Sequence, residues 1–345
     1  MDLIKELAFE ELSISNTLNR EFLSYCKNLY QIYCNLLPFE KVKNLRRLER
    51  EICPPRLFEI LSSPQVSAVL RYITSIQFDD EIMTESYEQL YSWLEWEGPG
   101  KGTPGTTSCD GKLKLTVHGQ KDRNPTLMGT STIVDFDSEG IWTHLDAGIS
   151  KFEKYQSHER DSIEFGFNSV NRLLDKFHVL RRFIDLNTQI VHIRKTPERS
   201  NIGSSTNILR IGATCLRNID LGIHDPILIL DLILHENIHN FLGKYEVLYG
   251  YFVNPNSKDM VESPWTGNII PIQAYTQACY VWFGLWQYYK ILLSEYEATR
   301  IHPKIALAKM GIIKGLENPI RGMSGFSNKF IEDLRKIEHE VRINQ

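Results

Sequence analysis

Apolar residues recur every three or four positions through most of the first 97 residues, which is the spacing of one buried helical face. The clearest run consists of Ile14, Leu18, Phe22, Tyr25 and Leu29. The pair Pro54 and Pro55 interrupts the pattern, because proline cannot continue a helix. Apolar residues predict a further helix over residues 87–96. We therefore expect residues 1–97 to form a helical N-terminal region.

The middle of the chain has a different pattern. Residues 98–110 are rich in glycine and proline and predict a loop. Short segments in which apolar residues alternate with polar ones or are β-branched then predict strands. These segments are residues 112–118, 131–137, 188–193 and 208–216. Between them, residues 163–184 have the apolar periodicity of one long helix, so this part of the chain is predicted to mix α and β structure.

The last third of the chain is predicted to be helical. Asp225 and Pro226 form a start signal, because aspartate caps helix N-termini and proline is favoured at the first helical position. The apolar run that follows continues to Leu242, and we expect the helix to end at Gly243. Since this helix is apolar on nearly all sides, it should be buried. Further helices are predicted after Pro271 and over residues 329–341.

The order of these elements predicts a helix-dominated α+β fold with a small β-sheet. Three parts are expected: the helical region 1–97, the loop 98–110, and an α+β domain over residues 111–345. That last part contains the buried helix that follows Pro226.

Composition excludes several classes of function. Among 345 residues, 39 Lys and Arg face 43 Asp and Glu, a net charge of −4, so no basic field favours nucleic acid. No uncharged apolar run approaches the ~18 residues of a membrane span. The first residues are acidic and do not resemble a signal peptide. The six cysteines are scattered without a CxxC pair, which favours a cytoplasmic protein.

The predicted buried helix carries the sequence His235-Glu236-Asn237-Ile238-His239, an HExxH motif. On a helix, positions four apart lie about 40° apart around the axis and about 6 Å apart along it. Both imidazoles therefore face the same side and are positioned to bind one metal ion. Polar histidines in a buried helix are costly unless they are paired or ligated. In a zinc peptidase, Glu236 would be the general base that acts on metal-bound water.

A catalytic metal site needs a third protein ligand. Glu262 lies 23 residues beyond His239, an acceptable separation for a carboxylate ligand, and Asp259 is a weaker candidate. Glu246 follows the expected end of the helix at once and is judged too close. A set of two histidines and one carboxylate suits zinc and also a non-haem iron site with open positions.

Several motifs together resemble the HExxH-motif family of peptide-modification proteins, which act beside ribosomally made peptide natural products. These are the HExxH motif itself, Ser263-Pro264-Trp265, and the segment from Pro271 to Tyr280, with a serine-rich segment from Ser204 upstream. The resemblance covers about residues 130–290. It implies an iron(II)- and 2-oxoglutarate-dependent dioxygenase, an oxidoreductase that hydroxylates a peptide side chain, with β-hydroxylation of aspartate as the family precedent.

The chain departs from this family at Ile211, where the family has phenylalanine, and more seriously at one expected metal ligand. Many members have a histidine as third metal ligand where this chain has Gln277. Either Gln277 binds the metal through its oxygen, or Glu262 replaces it, or the site has lost affinity. Under this hypothesis Glu236 need not be a base, and Arg210 is the first candidate to bind the carboxylate of 2-oxoglutarate, with Arg321 second.

Three functions follow as hypotheses. The first is an iron(II)/2-oxoglutarate-dependent peptide hydroxylase in which His235 and His239 are ligands and the substrate is a precursor peptide. The second is a zinc metallopeptidase with Glu236 as general base. The third is a catalytically silent peptide-binding homologue. None of them involves a nucleic acid or a membrane.

Overall fold

The structure is a computed structural model. It describes residues 2–75, 80–98, 102, 108–110, 112–115, 120–123, 126–127, 130–136, 153, 155–197, 201–207, 209–294, 296, 298–317 and 325–343. The predicted fold class is confirmed, since helices dominate the described residues and the largest sheet has four strands. None of the described helices combines the length and apolar character needed to cross a bilayer.

The chain folds into two compact units. One unit consists of Met1–Leu18 and Asn237–Gln345, and the other of Asn19–Glu236. Two helices, α2 (Ser13–Leu36) and α9 (Pro226–Tyr249), run through the points of division. The three-part division expected over residues 1–97, 98–110 and 111–345 remains a prediction, and most of the loop 98–110 lies outside the described residues.

Helices form the first part of the chain, as the apolar periodicity predicts. They are α1 (Leu3–Leu7), α2 (Ser13–Leu36), α3 (Phe39–Glu51), α4 (Pro54–Leu61), α5 (Pro64–Ser75) and α6 (Asp80–Glu97). The predicted break at Pro54 is confirmed, because α4 begins there with proline in its first turn. In the unit Asn19–Glu236, apolar side chains of α2 to α6 pack into one core around Tyr33, Leu45, Leu70 and Leu90.

The larger sheet lies in the same unit. Its strands are β3 (Ile133–Asp135), β4 (Ile190–Arg194), β5 (Gly203–Thr206) and β6 (Ala213–Arg217), in the order β3-β4-β6-β5. Strand β4 pairs in parallel with both β3 and β6, and β5 is antiparallel to β6. A separate antiparallel pair consists of β1 (Leu113–Leu115) and β2 (Lys121–Arg123). Each predicted segment therefore contains a strand, or most of one, among the described residues.

Two predicted elements between β3 and β6 have different bounds. The single helix expected over 163–184 is two helices, α7 (Ser157–Lys176) and α8 (His178–Asn187), because the backbone of Phe177 leaves the helical region at φ −121° and ψ 69°. These helices form the crossover that parallel strands require. The strand expected from residue 208 begins only at Ala213, because Gly212 turns the chain with φ +96°, a conformation that favours glycine.

The unit that consists of Met1–Leu18 and Asn237–Gln345 is mainly helical. Beyond α1 and its shares of α2 and α9 (Pro226–Tyr249), its described residues form a hairpin of β7 (Met260–Glu262) and β8 (Ile269–Pro271), and three further helices. These are α10 (Ile272–Leu292), α11 (Ala298–Glu317) and α12 (Asn328–Ile343). The helices predicted after Pro271 and near the C-terminus are confirmed, whereas no sequence pattern predicted α11.

The predicted end of α9 at Gly243 is wrong, because the helix continues to Tyr249. A glycine favours a helix end where the backbone takes a positive φ, and among the described glycines Gly250 has φ +102° whereas Gly243 does not have a positive value. The chain therefore leaves the helix at Gly250, almost two turns later than expected. This extension brings Glu246 onto the same helix as both motif histidines.

Candidate functional site

The two motif histidines lie on the least buried stripe of α9. From Ile227 to Glu246 most side chains of this helix are buried. The half-buried exceptions are Leu228, Asp231, Leu232, His235 and His239. Their spacing of three and four residues places them on one face. Between Ile227 and Glu246, the expectation that α9 is buried therefore holds except along this stripe, where side chains reach the surface.

His239 contacts helix α10. Its Nδ1 atom lies 2.8 Å from Oε1 of Gln277, which is in the second turn of α10. Nε2 of Gln277 in turn donates to Oε2 of Glu246 at 2.7 Å. We refer to this chain of three residues, His239, Gln277 and Glu246, as the amide bridge. All three lie in the unit Met1–Leu18 and Asn237–Gln345.

Glu246 belongs to this site, although its position in the sequence was judged too close to the motif for a third ligand. It is buried and also accepts a hydrogen bond from the backbone N–H of Phe252 at 3.3 Å. Burial raises the pKa of its carboxyl, and the hydrogen bonds from Gln277 and Phe252 oppose that effect. The signal that could have found it is its spacing. Glu246 follows His239 by seven residues, which is two turns on a continuous helix.

The motif glutamate is engaged by strand β5. Glu236 is buried, and its Oε1 accepts a hydrogen bond from Ser204 Oγ at 2.7 Å. Thr206 Oγ1 donates to the backbone oxygen of Glu236 at 3.4 Å. The serine-rich segment noted in the sequence is therefore the strand that holds this part of α9. The role of Glu236 as a catalytic base stays a prediction.

The structure places Glu262 on a strand and not on a helix. It ends β7 opposite Ile269 of β8, and its side chain is exposed. The weaker candidate, Asp259, accepts a hydrogen bond from Ser257 Oγ at 2.8 Å. Within the ranges that the structure describes, no three His, Cys, Asp or Glu side chains form a group that could hold a metal ion. Glu262 and Gln277 therefore stay predictions as third ligands.

Arg210 lies in the turn between β5 and β6, although we expected it on the strand. It is buried, and its backbone N–H donates to the oxygen of Asn207 at 2.8 Å. Its positive charge contributes to lowering the pKa of His192 on β4. Its predicted role toward 2-oxoglutarate is untested, and the second candidate, Arg321, lies outside the described residues.

His192 belongs to a buried ionic group with Asp135 and Arg194, hereafter the Asp135 cluster. Oδ2 of Asp135 lies 2.7 Å from His192 Nδ1 and accepts from Arg194 Nη2 at 3.0 Å. Burial is the main cause that lowers the pKa of His192 to about 4. Asp135 opposes the effect, and Arg194 and Arg210 add to it. The imidazole is therefore neutral near pH 7.

The Ser263-Pro264-Trp265 element is a tight turn, and its tryptophan packs inside the unit that consists of Met1–Leu18 and Asn237–Gln345. The Trp265 ring stacks on Trp282 with centroids 5.7 Å apart, and its Nε1 donates to the oxygen of Ala308 at 3.3 Å. At Gly311 of α11, an added Cβ would lie 1.9 Å from that nitrogen. These contacts of Trp265 are those of a packing residue.

Comparisons with known proteins add no identification. No protein-family model matches the chain, and a search of curated proteins finds no significant match.

Proposed function

We propose that the protein is a metal-dependent peptide-modifying enzyme in which His235 and His239 bind iron(II) and 2-oxoglutarate is the co-substrate. One observation carries the proposal: the two histidines share the half-buried stripe of α9 at the spacing of an HExxH metal site. The contact of His239 Nδ1 with Gln277 adds support. Histidines that bind metals usually donate their second ring nitrogen to an oxygen acceptor.

The donor set suits a first-row transition metal. Two imidazoles favour Fe²⁺ or Zn²⁺ over hard cations such as Mg²⁺ and Ca²⁺, which prefer oxygen ligands. The motif resemblance favours iron(II) over zinc. The hydrogen bond from Ser204 to Glu236 favours the same choice. A carboxylate held by this serine is better suited to positioning α9 than to acting as a general base on water. The zinc peptidase therefore has less support.

The chemistry supplied by iron(II) with 2-oxoglutarate and O₂ would be the conversion of one C–H bond of a peptide side chain to C–OH. The β-carbon of an aspartate in a ribosomally made precursor peptide is the substrate position that the resemblance suggests. In this proposal, the buried guanidinium of Arg210 pairs with a carboxylate of 2-oxoglutarate. The enzyme acts in the cytoplasm, and none of the six cysteines, all among the described residues, forms a disulfide.

The test is anaerobic titration of the metal-free 345-residue chain with iron(II) and then 2-oxoglutarate. We expect a metal-to-ligand charge-transfer band in the visible spectrum. His235→Ala and His239→Ala should each abolish the band and bound iron. His224→Ala is the matched control, because His224 is exposed in the loop before α9 and should leave both unchanged.

Other outcomes would favour the other two functions. Full zinc occupancy without a band, together with peptidase activity that Glu236→Gln abolishes, would favour the metallopeptidase. Metal content that neither histidine variant alters would favour the silent peptide-binding homologue. Either result would overturn the proposed hydroxylase.

A further inference from the structure

Both ends of the Gln277 side-chain amide are engaged within the amide bridge. Oε1 is 2.8 Å from His239 Nδ1, and Nε2 is 2.7 Å from Glu246 Oε2. A glutamine that ligates a metal would use Oε1, because the amide nitrogen has no lone pair available. In this geometry that oxygen is already directed at an imidazole nitrogen.

The direction of these hydrogen bonds follows from Glu246. Its two carboxylate oxygens each face a donor, namely the Phe252 backbone N–H at 3.3 Å and Gln277 Nε2. A carboxylate accepts and an amide NH₂ donates, so the Gln277 amide must turn its nitrogen toward Glu246. Its oxygen then faces His239. Since that oxygen can only accept, the proton of the hydrogen bond must reside on His239 Nδ1.

We propose that Gln277 and Glu246 are positioning residues that hold His239 as the Nδ1–H tautomer, and that Gln277 is not the third metal ligand. A neutral imidazole protonated on Nδ1 carries its lone pair on Nε2, which is then the nitrogen that binds the metal. The statement about the metal rests on the proposed function, whereas the tautomer is a property of the metal-free protein. A glutamine at position 277 thus serves a different purpose from a ligating histidine.

The tautomer is measured by NMR on the metal-free 345-residue chain labelled with ¹⁵N-histidine, with His239→Asn to assign the signal. We expect the wild-type His239 signal to show a protonated Nδ1. Gln277→Leu should abolish this preference and weaken the affinity for iron(II) alone by about 10- to 100-fold. Glu246→Gln should shift the preference away from Nδ1–H, because a glutamine that keeps the Phe252 hydrogen bond presents its NH₂ to Gln277 and so turns the Gln277 NH₂ toward His239.

Two further variants make the test specific. Glu246→Gln combined with Gln277→Glu exchanges the amide and the carboxylate, so every donor again faces an acceptor, and the Nδ1–H tautomer should return. Gln273→Leu is the matched control. Gln273 lies one turn earlier on α10 and donates to the backbone oxygen of Ser257 at 3.0 Å, so its loss should leave His239 unchanged.

Several results would overturn the proposal. These are a wild-type His239 protonated on Nε2, an unchanged tautomer in Gln277→Leu, or an equal effect of Gln273→Leu. A loss of iron affinity in Gln277→Leu without any change of tautomer would instead identify Gln277 as a ligand. If wild-type protein shows the Nδ1–H tautomer but binds no iron(II), the proposed function fails while the tautomer assignment stands. The wild-type spectrum decides the matter even if a variant does not fold.

Discussion

Two histidines in this chain are held through the same ring nitrogen but in different surroundings. His192 Nδ1 faces Asp135, whose charge is shared with Arg194, and each of these three residues is at most 5% exposed. His239 Nδ1 faces the neutral amide of Gln277, and its ring is half-buried. The Asp135 cluster is enclosed within the protein, whereas the amide bridge supports a ring that reaches the surface.

We infer from this difference that His192 has a structural role, whereas the proposed function assigns His239 to a metal ion. Removal of one member of a buried ionic group leaves a charge without compensation, and that cost appears in the free energy of unfolding. A hydrogen-bonded amide that orients a half-buried ring contributes less to stability and more to the affinity of whatever the ring binds. Changes of the same kind in the two regions should therefore affect different measurements.

The largest effect is expected for Asp135→Asn. This substitution keeps the shape of the side chain but removes the negative charge beside Arg194 and His192. The free energy of unfolding should fall by about 3–5 kcal/mol, the usual cost when one partner of a buried pair is removed. Urea denaturation followed by tryptophan fluorescence provides the measurement.

An exposed ion pair supplies the control for Asp135→Asn. Arg342 donates to Glu338 at 2.9 Å on α12, and both side chains are more than 40% exposed. Glu338→Gln should cost less than about 1 kcal/mol, because exposed pairs contribute little. Equal losses in the two variants would mean that the enclosed cluster has no special role in stability.

A smaller effect is expected from the titration of His192. Its pKa is lowered from 6.5 to about 4 in the folded protein, in contact with Asp135 and Arg194 and near Arg210. Between these values the unfolded chain binds more protons than the folded one, so stability is lost as the pH falls from 6.5 toward 4. One such group contributes at most about 1.4 kcal/mol per pH unit, or about 3 kcal/mol over the window.

The check is the pH dependence of the unfolding free energy in wild type and in His192→Gln. Glutamine does not titrate, so this variant should lose that part of the slope between pH 6.5 and 4. Parallel profiles for the two proteins would show that His192 does not bind its proton differently in the folded and unfolded chains.

Much of the fold could be predicted because most helices present a regular apolar face. The pattern from Ile14 to Leu29 and the start signal at Asp225-Pro226 both correspond to helices of the structure. Bounds were less predictable, because they depend on the backbone conformation of single residues. Gly243 and Gly250 are the same residue type, and only the positive φ of Gly250 marks the end of α9.

The candidate site could be predicted only where its residues are neighbours in sequence. The HExxH motif is visible in the chain, whereas the contact between His239 and Gln277 joins residues 38 positions apart. That contact requires α10 to approach α9 closely, and at Gly284 an added Cβ would lie 2.6 Å from Ile238 Cδ1. Likewise Asp135 and His192 meet because parallel strands pair in register, which periodicity alone does not determine.

The smallest change in stability is expected for Glu246→Gln, which makes the same chemical change in the amide bridge that Asp135→Asn makes in the Asp135 cluster. A glutamine at this position still accepts from the Phe252 N–H, and it removes a carboxylate that burial disfavours. The free energy of unfolding should therefore change by less than about 1 kcal/mol in either direction, while the affinity for iron(II) decreases. Denaturation and anaerobic iron titration of the same sample measure both quantities. A loss of stability as large as that of Asp135→Asn, with unchanged iron affinity, would mean that the amide bridge is a second structural cluster, and the distinction between the two histidines would not hold.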